Sequence, residues 1–418
     1  MVESFLEGLR VLDLADERGM LCGQILGGFG ADVIKIEPPE GDAARKKPPF
    51  YKDVTDSEKS LFWFHANLNK RGITLDIQSE QGREIFKRLA RDSHFIIESF
   101  EPKYVDELGL GYEELQKINP SIIVTSITPW GQNGPYVGYK ATDLICMAIG
   151  GMLYILGDSD RPPVRISEPQ AFFLGSLHGA MGSMVAHYHR QRTGEGQHVD
   201  VSIQEAIVLS LMMTCEYWDI SKVNYRGTGA MSLVPTPRGM FRSRRIYPTR
   251  DGYVYVFTLA GGFAGGVNTL KTFVEFANRD GMLLELKDYD WASFDPQVTD
   301  QEEADRVYRL IAEFCKTKTS SEFLDLALQK RILLAQAMDI KDIEESPQLA
   351  AREFWVDIKH PELKDTLRYP GAPLKMSQCP WQIYRRAPLI GEHNREVYEG
   401  ELGLSEQEVA LLKRQRVI

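Results

Sequence analysis

Three segments place charged residues beside glycine or proline at spacings that could serve chemistry. Asn67-Leu68-Asn69-Lys70-Arg71-Gly72-Ile73-Thr74-Leu75-Asp76 leads a basic pair into an apolar stretch. Thr193-Gly194-Glu195-Gly196-Gln197-His198-Val199-Asp200-Val201 is a glycine turn entering a second one. Arg385-Arg386-Ala387-Pro388-Leu389-Ile390-Gly391-Glu392-His393 sets a second basic pair against a loop bounded by Pro and Gly. Taken singly, a turn, a helix cap or a surface loop would produce each of them. Other chemistries find no support in the spacing. Gly27-Gly28-Phe29-Gly30 closes a helix and precedes a strand, whereas a dinucleotide fingerprint needs its glycines between a strand and the helix that follows. His187 and His189 are two apart and cannot share a helix face. The cysteines at 22, 146, 215, 315 and 379 show no CxxC spacing, so no metal site and no disulfide scaffold is expected. Neither a G-x-S-x-G elbow nor a P-loop occurs.

The elements that must hold these segments alternate in type. Leu9–Leu14, Asp32–Glu37, Ile73–Asp76, His94–Glu98, Ile122–Ile127 and His198–Ser202 read as strands. Helical stretches lie between them, including one from Ser79 to Arg91, Tyr112–Ile118 and a long small-residue helix over Ala171–Arg192. Strands separated by amphipathic helices predict βαβ units and a parallel, doubly wound sheet. From about Arg226 the pattern changes to an alternating strand, Gly252–Phe257, followed by helices over Glu302–Lys316 and Ser320–Lys330. The expected organisation is a large Rossmann-like α/β domain over 1–225, a smaller α+β domain over 226–330, and a Pro-rich arm over 331–418 that returns to the large domain. The arm is expected to end in a helix opened by Ser405-Glu406-Gln407-Glu408, a capping-box pattern.

Length and composition agree with that plan. At 418 residues the chain is long enough for two domains. Hydrophobic residues make up 43% and charged residues 26%, enough for a large core. The net charge of −10 argues against nucleic acid as the main partner, because that binding runs on a basic surface; a local basic pocket for one phosphorylated small molecule is compatible with it. The first residues, Met1-Val2-Glu3-Ser4-Phe5-Leu6-Glu7, lack the basic and apolar regions of a signal peptide, and no run of 18 apolar residues occurs, the interrupted 203–215 stretch suiting a buried helix. A cytoplasmic protein is expected.

In combination and in order, these segments resemble the class III coenzyme A-transferase family, nearly end to end. The resemblance includes Gly8-Leu9-Arg10-Val11-Leu12-Asp13-Leu14, Gly30-Ala31-Asp32-Val33-Ile34-Lys35-Ile36-Glu37-Pro38, Asn69-Lys70-Arg71, Gly109-Leu110, Asn119-Pro120, Gly134-Pro135-Tyr136 and the three segments above. It implies a Rossmann-like large domain built from both chain ends, a small domain, and two subunits threaded through each other as interlocked rings. It also implies the reaction: CoA passes from an acyl-CoA to a carboxylic acid through anhydride and thioester intermediates on an aspartate, a covalent mechanism. No permanently bound cofactor is implied; coenzyme A and acyl-CoA enter as substrates. By the same resemblance, contacts to CoA map onto Glu17, Arg18, Leu75 to Gln78, Ser99, Phe100, Glu101 and Lys140.

The chain departs from the family where chemistry is done. The family aspartate lies 21 residues before the Thr-Gly-x-Gly-Gln turn, a count that lands on Phe172, within Pro169-Gln170-Ala171-Phe172. A phenyl ring forms neither anhydride nor thioester. The fallback acids are Glu168, expected at or next to the N-cap if Pro169 is the first helical residue, and Asp143. In related racemases a His-Asp pair stands at Asp143; here Thr142 replaces the histidine. A phosphate-binding arginine of the family is Glu107, leaving Lys140 as the cationic phosphate partner and Arg18 as an electrostatic substitute. The glycine-rich lid is reduced to Gly227-Thr228-Gly229. Together these departures imply a non-catalytic subunit that pairs with a homologous catalytic CoA-transferase. A heteromeric group of the family with this arrangement uses succinyl-CoA as donor and benzylsuccinate as acceptor in anaerobic toluene breakdown. An active transferase using Glu168 or Asp143, and an acyl-CoA-binding or racemase relative, are the alternatives.

Overall fold

The computed structural model describes residues 4–212, 214–259 and 263–418. Met1 to Glu3 of the acidic N-terminal segment, and Met213 of the 203–215 stretch, lie outside the described residues. The chain divides into two compact units, one formed by 1–153, 165–222 and 348–418, the other by 154–164 and 223–347.

The first unit is built on β1 (Arg10–Asp13), α1 (Met20–Gly28), β2 (Asp32–Glu37), α2 (Leu61–Ala66), β3 (Lys70–Thr74), α3 (Glu80–Arg91) and β4 (Phe95–Glu98). It continues with α4 (Tyr104–Glu107), α5 (Tyr112–Ile118), β5 (Ile123–Thr128), α6 (Asp143–Ile149), α7 (Gln170–Thr193), β6 (Gln197–Ser202) and α8 (Ile203–Ser210). The six strands pair in parallel in the order β3-β2-β1-β4-β5-β6. This is the doubly wound α/β arrangement, with the strand order reversing between β1 and β4. Central strands read as apolar runs because helices cover both faces. On one face Leu12, Ile34, Ile73, Ile96 and Val124 pack with Ile85, Phe86 and Leu89 of α3 and with Val397, Tyr398 and Val409 from the chain's end. On the other, α7 approaches so closely that a Cβ at Gly179 would stand 2.6 Å from Ile127 Cδ1. The small residues of α7 therefore serve contact with the sheet. Gly194, at φ +80°, closes the helix.

Beneath the sheet's carboxyl end runs a buried ionic network. Lys70 Nζ donates to Asp13 Oδ2 at 2.7 Å, Met20 O at 2.6 Å and Asn67 Oδ1 at 2.8 Å. Arg45 grips Glu37 with two nitrogens, at 2.6 and 2.8 Å, and stacks on Trp63. Arg71 grips Asp32 at 2.8 and 2.6 Å. The basic pair Lys70-Arg71 thus lies inside β3, which begins three residues before the expected Ile73, and is spent on internal ion pairs.

The arm is tied to the same strand. His393 Nδ1 accepts from Gly72 N at 3.0 Å, and Asn394 Oδ1 accepts from Thr74 N at 2.9 Å. Earlier in the arm, Trp355–His360 and Asp365–Pro370 form an antiparallel hairpin, where the proline count predicts extended chain. The alternation of Val356, Ile358, Leu367 and Tyr369 with polar residues outweighs the prolines, which fall at the turn and at the hairpin's end. The final helix, Glu406–Arg414, opens with the expected capping box of Ser405 and Glu408.

The second unit has a three-stranded antiparallel sheet, with Tyr253–Val256 between Ile246–Pro248 and Leu334–Ala337. Helices Ala264–Asn278, Gln301–Cys315 and Ser320–Lys330 pack beside it. Phe273, Phe314 and Phe323 meet face to face and edge to face in its core.

Candidate functional site

Ligands of doubly wound sheets bind outside the carboxyl ends of the strands, where the strand order reverses. Here that point is the gap between the loops after β1 and β4. Asp16 and Arg18 from the first loop meet Ser99 and Glu101 from the second. Arg18 Nε lies 2.9 and 3.1 Å from the two Asp16 oxygens, and Ser99 Oγ donates to Asp16 Oδ1 at 2.8 Å. Glu101 stands 3.9 Å from Arg18. Burial pushes the Asp16 carboxyl up, but the Arg18 and Ser99 hydrogen bonds win and hold it below its usual value. Burial lifts Glu98, at the end of β4, to about 7, despite hydrogen bonds from Ser126 and the Phe100 amide and the charge of Arg18. Phe100 packs on Tyr104, whose hydroxyl accepts from Gln78 Nε2 at 3.0 Å. The structure thus gathers Arg18, Gln78, Ser99, Phe100 and Glu101 around one crevice. Leu75 is 2% exposed and its amide is bonded to Glu37 O, so it offers a ligand almost no surface. Lys140 stands apart, lining a 500 Å³ hollow with Trp130, Tyr136 and Tyr139.

A larger cleft, of 740 Å³, opens in front of α7. Its lining includes Glu17, Lys47, Leu61, Phe62, His65, Asp143, Leu144, Met147, Arg165, Ile166, Glu168 and Phe172. Phe172, the residue at the expected nucleophile position, is 4% exposed. Its backbone N–H donates to Asp143 Oδ1 at 3.0 Å. Pro169 is the N-cap of α7 and supplies no side-chain cap; Asp143, at the start of α6, does that work from another helix. Glu168 therefore precedes the cap and does not occupy it, and it is exposed at the mouth of the cleft. Glu168 thus lies next to the N-cap, as expected, with the helix starting at Gln170 and not at Pro169. Burial raises the Asp143 pKa, while the amides of Phe172 and Ala171 and the charge of Lys47 pull it back part of the way.

Lys47, His65 and Arg165 also line this cleft, and none of them stands out in the sequence. They arrive on three separated stretches, so no spacing links them; the local signals are only the runs Lys46-Lys47-Pro48-Pro49 and Pro162-Pro163-Val164-Arg165. Lys47 is ion-paired with Glu17, and desolvation lowers its pKa. Desolvation likewise lowers His65, although part of its ring is open to solvent, and the Glu168 carboxylate opposes that shift. The cleft can therefore hold a molecule with an apolar body and an anionic group. At its floor it offers a phenyl ring where a covalent acyl carrier would need an oxygen.

The remaining predicted segments act structurally. Thr193-Gly194 ends α7, His198 bonds Ser126 across neighbouring strands at 2.8 Å, and Arg386 pairs with Glu392. Among the described residues no helix is long and apolar enough to cross a membrane.

Comparison with known proteins places these features in a family. Residues 6–394 match the sequence model of CoA-transferase family III. The chain is 32% identical over 395 residues to the succinyl-CoA:(R)-benzylsuccinate CoA-transferase subunit BbsE of Thauera aromatica, covering 93% of this chain and 92% of that one. It is 32% identical to the formyl-CoA:oxalate CoA-transferase of Streptomyces coelicolor, over the full length of both. The crystal structure of a CAIB/BAIF family protein from Brucella suis superposes with a TM-score of 0.81 at 26% identity, covering 95% of this chain and 99% of that one. By the sequence match from Leu6 to Asn394 and by these relatives, the chain belongs to CoA-transferase family III.

Proposed function

We propose that this chain is a subunit of a class III CoA-transferase that moves CoA from an acyl-CoA such as succinyl-CoA to a carboxylic acid such as benzylsuccinate, and that a homologous partner carries the covalent steps. The observation that carries this reading is Phe172, buried in the first turn of α7 with its ring on the cleft. The family chemistry needs a carboxylate oxygen to attack the thioester carbonyl and expel the CoA thiolate, and this position has none to offer. The choice of donor and acceptor rests on likeness to the Thauera aromatica subunit. Weak CoA binding through the crevice belongs to the same proposal: Arg18 is engaged by Asp16, which leaves Lys140 as the phosphate contact.

A second reading, an active transferase with a displaced nucleophile, is favoured by one observation: Glu168 faces the same cleft with no ion-pair partner among the described residues. Asp143 suits that role less well, since its oxygen is engaged by the Phe172 amide. Exposing the assembled transferase to acyl-CoA, then to hydroxylamine or borohydride, and mapping the adduct by peptide mass separates the two. The expected adduct lies on the partner, and Glu168→Gln leaves turnover within about twofold. An adduct on Glu168 or Asp143 overturns the subunit reading.

A further inference from the structure

The charged groups of the large cleft are unequally engaged, with Glu168 and Arg165 both lacking an ion-pair partner among the described residues. Glu17 is taken by Lys47. Asp143 is taken by the backbone at the start of α7. Arg165 has no hydrogen-bond or ion-pair partner among the described residues, yet it lines the same cavity. The same cavity is lined by the apolar side chains of Leu61, Phe62, Leu144, Met147, Ile166 and Phe172. Leu144 and Ile166 are 43% and 40% exposed, so a ligand seated there would take apolar surface out of water. A guanidinium free to form a two-pronged contact prefers a planar carboxylate over a neutral polar group.

We infer that this cleft is a non-covalent binding site for a carboxylate with an apolar body, in which Arg165 recognises the carboxylate and Phe172 forms part of the apolar floor. The inference rests on the subunit reading for its relevance to CoA transfer, and it gives Phe172 a positive role in place of a lost one. Two molecules supply that chemistry: a free arylalkyl acid, and the distal carboxylate of a dicarboxylic monothioester. Both are carboxylates at the end of a short carbon chain.

The test is calorimetry on the full chain, in complex with its partner if the two are obtained together, with two matched pairs of probes. The first pair is 3-phenylpropionate and 3-phenyl-1-propanol, which share a ring and chain length and differ in the carboxylate. The second pair is succinyl-CoA and butyryl-CoA, which differ in the distal carboxylate. We expect at least a tenfold preference for the carboxylate in one pair or both. Preference in the first pair identifies a free acid as the ligand; preference in the second identifies the thioester. Arg165→Gln should abolish the preference while leaving alcohol binding in place, which shows that the cleft is intact. Arg165→Lys should keep part of the preference. Arg91→Gln, on the exposed side of α3, should leave it unchanged. Equal affinity within both pairs, no binding of any probe, or a preference that survives Arg165→Gln overturns the inference. An adduct trapped on this chain would overturn the subunit reading and leave the Arg165 result standing. A partner-only adduct without Arg165 dependence would do the reverse.

Discussion

The crevice between β1 and β4 and the cleft before α7 belong to one sheet-based unit and are both rich in charge, but they manage it in opposite ways. In the crevice the charges close on themselves. Arg18 holds Asp16 with two contacts, Ser99 completes the carboxylate, and Asp13 beneath is locked by Lys70. In the cleft, Asp143 is spent on a backbone amide, and Arg165 and Glu168 line the cavity without an ion-pair partner among the described residues. The difference teaches that a family scaffold can internalise the charges of one ligand site while leaving another open to solvent and solute. The unpaired guanidinium of Arg165 and the side chain at the expected nucleophile position, Phe172, are different residues lining one cleft.

The closed region is where substitution should cost most. Lys70→Met would leave the fully buried Asp13 with Lys35 at 3.9 Å as its cation, and we expect a loss of about 3–5 kcal/mol in urea unfolding. A loss below about 1 kcal/mol would show that the network beneath the crevice is not closed. Glu98 gives the next effect, and its sign follows from protonation. Its folded pKa of about 7 lies above the ordinary 4.5, so the folded state keeps the proton longer than the unfolded state does. The stability this contributes is complete below pH 4.5 and is lost as pH rises through 7, a change on the order of 3 kcal/mol. Glu98→Gln should flatten the pH dependence of unfolding across that window; an unchanged slope would put Glu98 in contact with solvent or a cation.

Asp143→Ala removes the acceptor from the first turn of α7 and should cost about 1–2 kcal/mol, with Asp143→Asn recovering part of it because an amide oxygen still accepts. Full stability in the alanine variant would mean that the opening of the cleft is not held by this contact. The smallest effect is expected at Lys140, an exposed cation: Lys140→Ala should weaken CoA binding roughly twofold to fivefold in calorimetry. No change there would remove Lys140 from the CoA contacts.

How far the sequence could be read depended on whether a feature is local. β2 over Asp32–Glu37 and α5 over Tyr112–Ile118 fall where their apolar patterns put them. The Ser79 and Ser405 caps do the same, since each is decided within four residues. β3 begins earlier than expected because Lys70 and Arg71 look like loop residues until Asp13 and Asp32 are brought beside them. The hairpin over 355–370 was hidden by prolines that sit where ladder bonds are not needed. At the site, Phe172 is visible by counting, but Asp143 as the cap of another helix is not. The convergence of Lys47, His65 and Arg165 is equally invisible, because it exists only once three distant stretches fold together.

The hydrogen bond from the Phe172 amide to Asp143 has a consequence for how easily this position changes. The backbone at 172 is held by a contact that is indifferent to the side chain it carries. An aspartate introduced there would inherit the same placement, at a helix start that favours negative charge. It would also stand beside the carboxylate that fixes its own backbone, and two acids so close cannot both ionise freely. Phe172→Asp would therefore create a coupled acid pair in which one member takes up its proton at unusually high pH. Exchanging the inert ring for a carboxylate at this point leaves the backbone contact to Asp143 available while removing a buried ring from the packing.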